Sequence, residues 1–191
     1  MSRIRVVGVS GSTRRPSRTS ELVTEIGRVL SQHRSVQFDL VDLAEIGPGL
    51  GAFSRADLPD EGKRALSAIE AADGLIVGSP VYKGSYTGLF KHLFDFIDAQ
   101  VLAGVPVALT ATGGGRRHAL TVEHQLRPLF GFFSALTLPT SVYASDEDFR
   151  DGKLADPVTI DRVRQVASEL ARHVSPRRSA LVTPVPLERV A

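Results

Sequence analysis

The 191-residue chain has no cysteine, no tryptophan and a single methionine. Without a thiol there is no disulfide framework, no thiolate nucleophile, no cysteine-ligated metal and no thiol redox relay. Any redox chemistry must therefore be carried by something the protein binds. An excess of one charge is lacking too. Against 23 Lys and Arg stand 21 Asp and Glu, a formal net charge of +2, which argues against a nucleic-acid polymer as partner. No apolar run has the length of a membrane span, and the opening MSRIRVVGVSGS lacks the cleavage pattern of a signal peptide. One soluble, cytoplasmic domain with a single sizeable core is expected.

What is present is an alternation of short β-branched runs with longer amphipathic ones. Strands are expected over Arg3–Val9, Val36–Leu43, Gly74–Ser79, Val105–Ala111 and Leu136–Ala144. Helices are expected over Ser17–Gln32, Asp60–Ala72, Ser85–Asp98, Arg117–Ser134 and Asp156–His173, with Ala44–Pro59 as loop. Five strands alternating with five helices imply right-handed crossovers, a parallel sheet of order 2-1-3-4-5 and a three-layer α/β/α sandwich. Such a sheet binds ligands beyond the carboxyl ends of its central strands. The domain is expected over residues 1–174. Residues 175–191, with three prolines and three arginines, read as an extended tail.

Three loops leave that end of the sheet. The first, GVSGSTRRPSRTS from Gly8 to Ser20, leads small hydroxyl residues and arginines into a helix N-terminus, a cradle for one phosphate. Its spacing matches neither G-x-G-x-x-G nor G-x-x-x-x-G-K-[ST]. A capped Gly/Ser turn with solvated arginines is the competing reading. The second, GSPVYKGSYTG from Gly78 to Gly88, has a proline-stiffened strand exit and glycines that admit a flat ring against the main chain. Half-buried packing of Tyr82 and Tyr86, with Lys83 a solvated tip, is its alternative. The third, TATGGGRRH from Thr110 to His118, exposes backbone N–H donors suited to the polar edge of a heterocycle.

Together, SGSTRRPSRTS, GSPVYKGSYTGLFKHLFDFID and ATGGGRRHALTVEHQLRPLF strongly resemble the flavodoxin-like NAD(P)H-dependent FMN reductase family. They are most similar to the reductase components of two-component alkanesulfonate and methanesulfonate monooxygenases. The resemblance spans Arg3 to Ala144. It implies that Ser10, Ser12, Arg14, Arg18, Thr19 and Ser20 hold the FMN phosphate. Pro80, Val81, Tyr82 and Lys83 would flank the isoalloxazine, and Thr112, Gly113 and Gly114 would meet its pyrimidine edge. Some alkanesulfonate-linked relatives carry an inserted Tyr that makes a π-bulge at a tetramer interface. His124 stands at the comparable place, which puts the bulge and the tetramer in doubt and suits the methanesulfonate-like branch.

The function implied is hydride transfer from NAD(P)H to FMN, with reduced FMN supplied to a partner monooxygenase and no side chain acting as nucleophile. Two alternatives stay open: a quinone or azo reductase with tightly held FMN, and a non-enzymatic flavodoxin-like electron carrier. Response regulators share the fold but need acidic residues where Ser10, Gly11 and Ser79 stand. Arg116 and Arg117 are candidates for the 2′-phosphate of NADPH, or else a solvated pair. His118 and His124 are six residues apart and do not share a helix face, so no metal site is expected. The apolar helices around Leu89, Phe90, Leu93, Phe132 and Phe133 suggest a homodimer or homotetramer.

Overall fold

The computed structural model describes residues 3–177. Strand β1 (Ile4–Ser10), rich in valine and buried on both faces, is the inner strand against which two others pair in parallel: β2 (Val36–Asp42) and β3 (Gly74–Pro80). Beyond β3 lies β4 (Pro106–Gly113), again parallel. With β5 (Leu136–Thr137) at the far edge, the order β2-β1-β3-β4-β5 is the doubly wound arrangement expected from the alternation. Continuous apolar runs in β1, β3 and β4 follow from helices covering both faces of the sheet.

Two cores result. On one face α1 (Arg18–His33) and α6 (Pro157–His173) bury Leu22, Val23, Ile26, Leu30, Val163, Val166 and Leu170. On the other, α3 (Asp60–Glu70), α4 (Gly88–Asp95) and α5 (Arg127–Phe132) contribute Leu66, Ile69, Phe90, Phe94 and Phe130. Phe94 stands 4.9 Å from the Phe90 ring and 5.0 Å, edge-on, from Phe130. Aromatic packing inside the subunit thus accounts for much of the apolar character of α4 and α5. Leu89, Leu120, Phe132 and Leu136 remain exposed.

Several boundaries differ from the sequence reading. The expected strand Leu136–Ala144 is two short ones, β5 (Leu136–Thr137) and β6 (Val142–Ser145), both paired with β4. Between them the chain carries two more residues than β4 does, and Pro139, with no N–H to give the ladder, lies in the detour. The stretch 44–59 is not plain loop: α2 (Leu43–Ile46) and two 3-10 turns occupy part of it. The helix expected from Ser85 starts at Gly88, because Thr87 caps it by accepting from Phe90 N.

The largest departure is the helix expected over Arg117–Ser134. It is a 3-10 turn at Arg116–His118, a π-helical segment at Val122–Leu126 and then α5. The bulge that His124 put in doubt is therefore present and centred on that histidine. Pro128 explains it: its ring would meet the carbonyl of His124 in a regular α-helix, and widening the preceding turn, with Arg127 N donating to Val122 O, relieves the conflict.

Of the expected tail only Ser175–Arg177 fall among the described residues; the rest lies outside them. Arg177 is well held: its backbone N–H donates to Asp73 at 2.6 Å and its guanidinium to the carbonyls of Ala72 and Val101.

Candidate active site

Beyond the carboxyl ends of β1, β3, β4 and β6 opens one cleft of about 990 Å³, within the usual size of a small-molecule site. Its floor and walls come from all three loops singled out in the sequence. The β1–α1 loop contributes Ser12, Arg14, Arg18, Thr19 and Ser20; the exit of β3 contributes Pro80, Val81 and Tyr82; the exit of β4 contributes Thr112, Gly113 and Gly114.

The loops are tied to one another by buried polar contacts. Gly11 N donates to Gly78 O at 2.7 Å, Thr87 Oγ1 to Gly11 O at 2.8 Å and Val81 N to Thr112 O at 2.7 Å. Thr19 and Thr112 share a hydrogen bond between hydroxyls at 2.7 Å. Glycine is needed at these closest approaches: a Cβ at Gly78 would stand 2.7 Å from Thr110 Oγ1, and one at Gly113 2.4 Å from Tyr143 Oη. The site is thus braced before any ligand arrives, which is what precise positioning of a reactive ring requires.

At one end of the cleft, helix α1 begins with Ser17 as N-cap, accepting from Ser20 N at 3.1 Å. The helix N-terminus, the hydroxyls of Ser12 and Ser20, and the guanidinium groups of Arg14, Arg15 and Arg18 form an anion-binding corner. Among the described residues Arg14 has no carboxylate partner, and its guanidinium lies 5.7 Å from the Tyr82 ring centroid. Arg15 pairs with Glu45 at 2.7 Å, which raises its pKa against the opposing pull of burial, and it reaches Asp42 at 3.6 Å. Burial pushes the Asp42 carboxyl up from its ordinary value, against the Ala44 N–H and Arg15, which lower it.

Four expected residues are not brought to the cleft. Ser10 is sealed at the end of β1, its hydroxyl buried and without a partner among the described residues. Lys83 has φ +54 and sits with Gly84 at the tip of a tight turn closed by the paired backbones of Tyr82 and Ser85, so it stands out in solvent. Arg116 turns to the buried Asp148 at 3.5 Å, and Arg117 is exposed beside it.

Sequence reasoning missed the far wall, built from Asp146, Asp151, Gly152 and Lys153. Ser145 and Asp148 cap each other there, and β7 (Phe149–Arg150) and β8 (Lys153–Leu154) form a hairpin around Asp151-Gly152, with φ of +49 and +77. Asp-Gly between short strands was a legible hairpin signal. No cluster of three or more His, Asp or Glu suited to a metal occurs among the described residues, and none of their helices is long and apolar enough to cross a membrane.

Fold and cleft together define a flavodoxin-like oxidoreductase architecture with an arginine-rich corner at the start of α1 and the Pro80–Tyr82 strand exit beside it. A family model described as NADPH-dependent FMN reductase matches residues 4–150, and the chain belongs to that family. An NADH-dependent FMN reductase, SfnF, of Pseudomonas fluorescens is 50% identical over 90% of this chain and 92% of its own. An FMN reductase (NADPH) of Pseudomonas aeruginosa is 47% identical over 89% and 92%. Among solved structures, an oxidoreductase from Corynebacterium diphtheriae superimposes with a TM-score of 0.80 at 33% identity, covering 91% of this chain and 98% of that one.

Proposed function

We propose that the chain reduces FMN with NAD(P)H and passes the reduced flavin to a flavin-dependent monooxygenase of the sulfonate-desulfonating kind. The observation that carries the reading is the convergence of the three loops on one braced cleft. Ser12, Arg14, Arg18 and the α1 N-terminus suit the phosphate, with Thr19 and Ser20 beside them. Pro80, Val81 and Tyr82 offer a shelf for the ring, and Thr112, Gly113 and Gly114 offer main-chain groups for its polar edge. Bound there, FMN supplies the hydride acceptor, so the protein needs no acid, base or nucleophile of its own. What the residues do is bind, orient and brace: the Thr19–Thr112 and Thr87–Gly11 contacts fix the shelf relative to the phosphate corner.

Arg116 and Arg117 are proposed to face the nucleotide that delivers the hydride, favouring NADPH through its 2′-phosphate. Exposed Leu89, Leu120, Phe132 and Leu136 support a homodimer or homotetramer, read directly by light scattering. Balanced charge and the lack of cysteine suit a cytoplasmic setting.

The test is steady-state oxidation of NADPH and NADH with and without added FMN, on protein whose absorbance as purified has been recorded. Colourless protein activated by FMN is expected. Stoichiometric bound flavin that turns over without addition would favour a quinone or azo reductase, and flavin binding without NAD(P)H oxidation would favour an electron carrier. Transfer is tested by coupling to a sulfonate monooxygenase, where desulfonation should depend on this protein, NAD(P)H and FMN together.

A further inference from the structure

The anion corner is charge-balanced in an unexpected way. Arg14, Arg15, Arg18 and Lys153 line the cleft, but so do Glu21, Asp42, Asp146 and Asp151. Arg15 is paired with Glu45, Arg18 with Asp146 at 2.9 Å and Lys153 with Glu21 at 2.9 Å. Among the described residues only Arg14 of these four lacks a carboxylate. A site built solely to grip a phosphate would leave its guanidinium groups free; this one supplies most of them with a competing anion.

Asp146 stands out, because it opens the loop after β6 that the sequence reading left without a role. Its Oδ1 takes the Arg18 Nη1, and Phe149 of the same loop lies 6.0 Å from the Arg18 guanidinium. Arg18, at the first turn of α1, is therefore already engaged. Both partners of the pair are about half exposed, so the contact is weak enough to exchange with a better anion.

We propose that Asp146 sets the affinity of the cleft for phosphate-bearing flavin by competing with the phosphate for Arg18 and repelling it, so that flavin exchanges instead of staying bound. This rests on the FMN reading of the cleft. A dianionic phosphate has to share the Arg18 guanidinium with the carboxylate or displace it, and in either case lies near a like charge, which weakens binding.

The experiment is a flavin-fluorescence quenching titration of the wild type, Asp146→Asn, Asp146→Ser and the control Asp161→Asn, with FMN and with riboflavin, at low and high salt. Asp161 carries the same charge outside the cleft and pairs with Arg164 on α6. Both Asp146 variants are expected to bind FMN about three- to tenfold more tightly than the wild type at low salt, with the gain shrinking as salt rises. Riboflavin, which has no phosphate, is expected to bind all four proteins equally, and Asp161→Asn to match the wild type. FMN bound equally or more weakly by the Asp146 variants overturns the proposal and makes Asp146 a support for Arg18. Equal tightening of riboflavin also overturns it. A wild type that binds no FMN removes the reading of the cleft and the proposal with it, an outcome distinct from the first two.

Discussion

The hydroxyls of Thr19 and Thr112 lie 2.7 Å apart, buried, one at the start of α1 and the other near the end of β4. Through this contact the arginine-rich corner at the start of α1 and the glycine-rich loop hold a fixed relation although the two threonines are 93 residues apart in sequence. Thr19→Val leaves the Thr112 hydroxyl buried without a partner, so a loss of about 1–3 kcal/mol is expected. The double variant with Thr112→Val should lose less than the two single losses added together. Urea denaturation of the four proteins checks this, and strict additivity would refute the bridge.

Arg14 is the cation of the corner with no carboxylate among the described residues, so the phosphate should draw most on it. Arg14→Ala is expected to weaken FMN by about 1.5–3 kcal/mol, the range for a charged hydrogen bond, and to leave riboflavin nearly unchanged. A quenching titration that finds equal losses for both flavins would place the guanidinium on the ring through Tyr82 instead.

At Gly113 the conflict is steric: an added Cβ would come within 2.4 Å of Tyr143 Oη, which itself donates to Gly115 O at 2.6 Å. Gly113→Ala is expected to cost about 1–3 kcal/mol of stability by overpacking and to raise the KM for FMN as the loop shifts. Adding Tyr143→Phe removes the obstructing oxygen and should restore part of the melting temperature. A double variant less stable than either single one would show that the hydroxyl supports the loop more than it crowds it.

For the nucleotide, the structure separates two neighbours that look alike in sequence. Arg116 is engaged by the buried Asp148, while Arg117 is exposed beside it. Replacing both with Ala is expected to lower the ratio of kcat/KM for NADPH over NADH by about fivefold, consistent with the loss of roughly 1 kcal/mol from an exposed charge contact. Most of that change should come from Arg117→Ala alone. An unchanged ratio in the double variant would remove both arginines from the nucleotide site.

The legibility of the chain follows from how local each determinant is. The helix starts at Arg18 and Pro157 were readable because Ser17 and Asp156 cap them through their own side chains. The strands β1, β3 and β4 were readable because burial on both faces leaves continuous apolar runs. The π segment was not, since it depends on Pro128 acting on the turn before it and on side chains from other elements. The family resemblance puts Lys83 at the ring, but it stands exposed at the tip of the Lys83-Gly84 turn, outside the cleft lining. Asp146 carried no motif at all, and only the packing of its loop against α1 brings it to Arg18.

The π segment makes its own prediction about acid. Glu123 accepts from Arg127 at 2.5 and 2.9 Å and from Ser141 Oγ at 2.8 Å, while Arg127 also donates to Leu138 O, so the widened turn is clamped to the detour between β5 and β6. The Arg127 hydrogen bond holds the Glu123 carboxyl below the ordinary glutamate value of 4.5, against burial that pushes it up and with help from Ser141. A carboxyl whose folded pKa is depressed contributes stability that is fully present above the unfolded value and lost as pH falls through the folded one. The wild type should therefore exceed Glu123→Gln in stability most clearly at neutral pH, and the gap should close as pH falls below about 4. Urea midpoints measured across that range decide the matter: a gap that stays constant from neutral to acid would show that the clamp does not depend on the charge of Glu123.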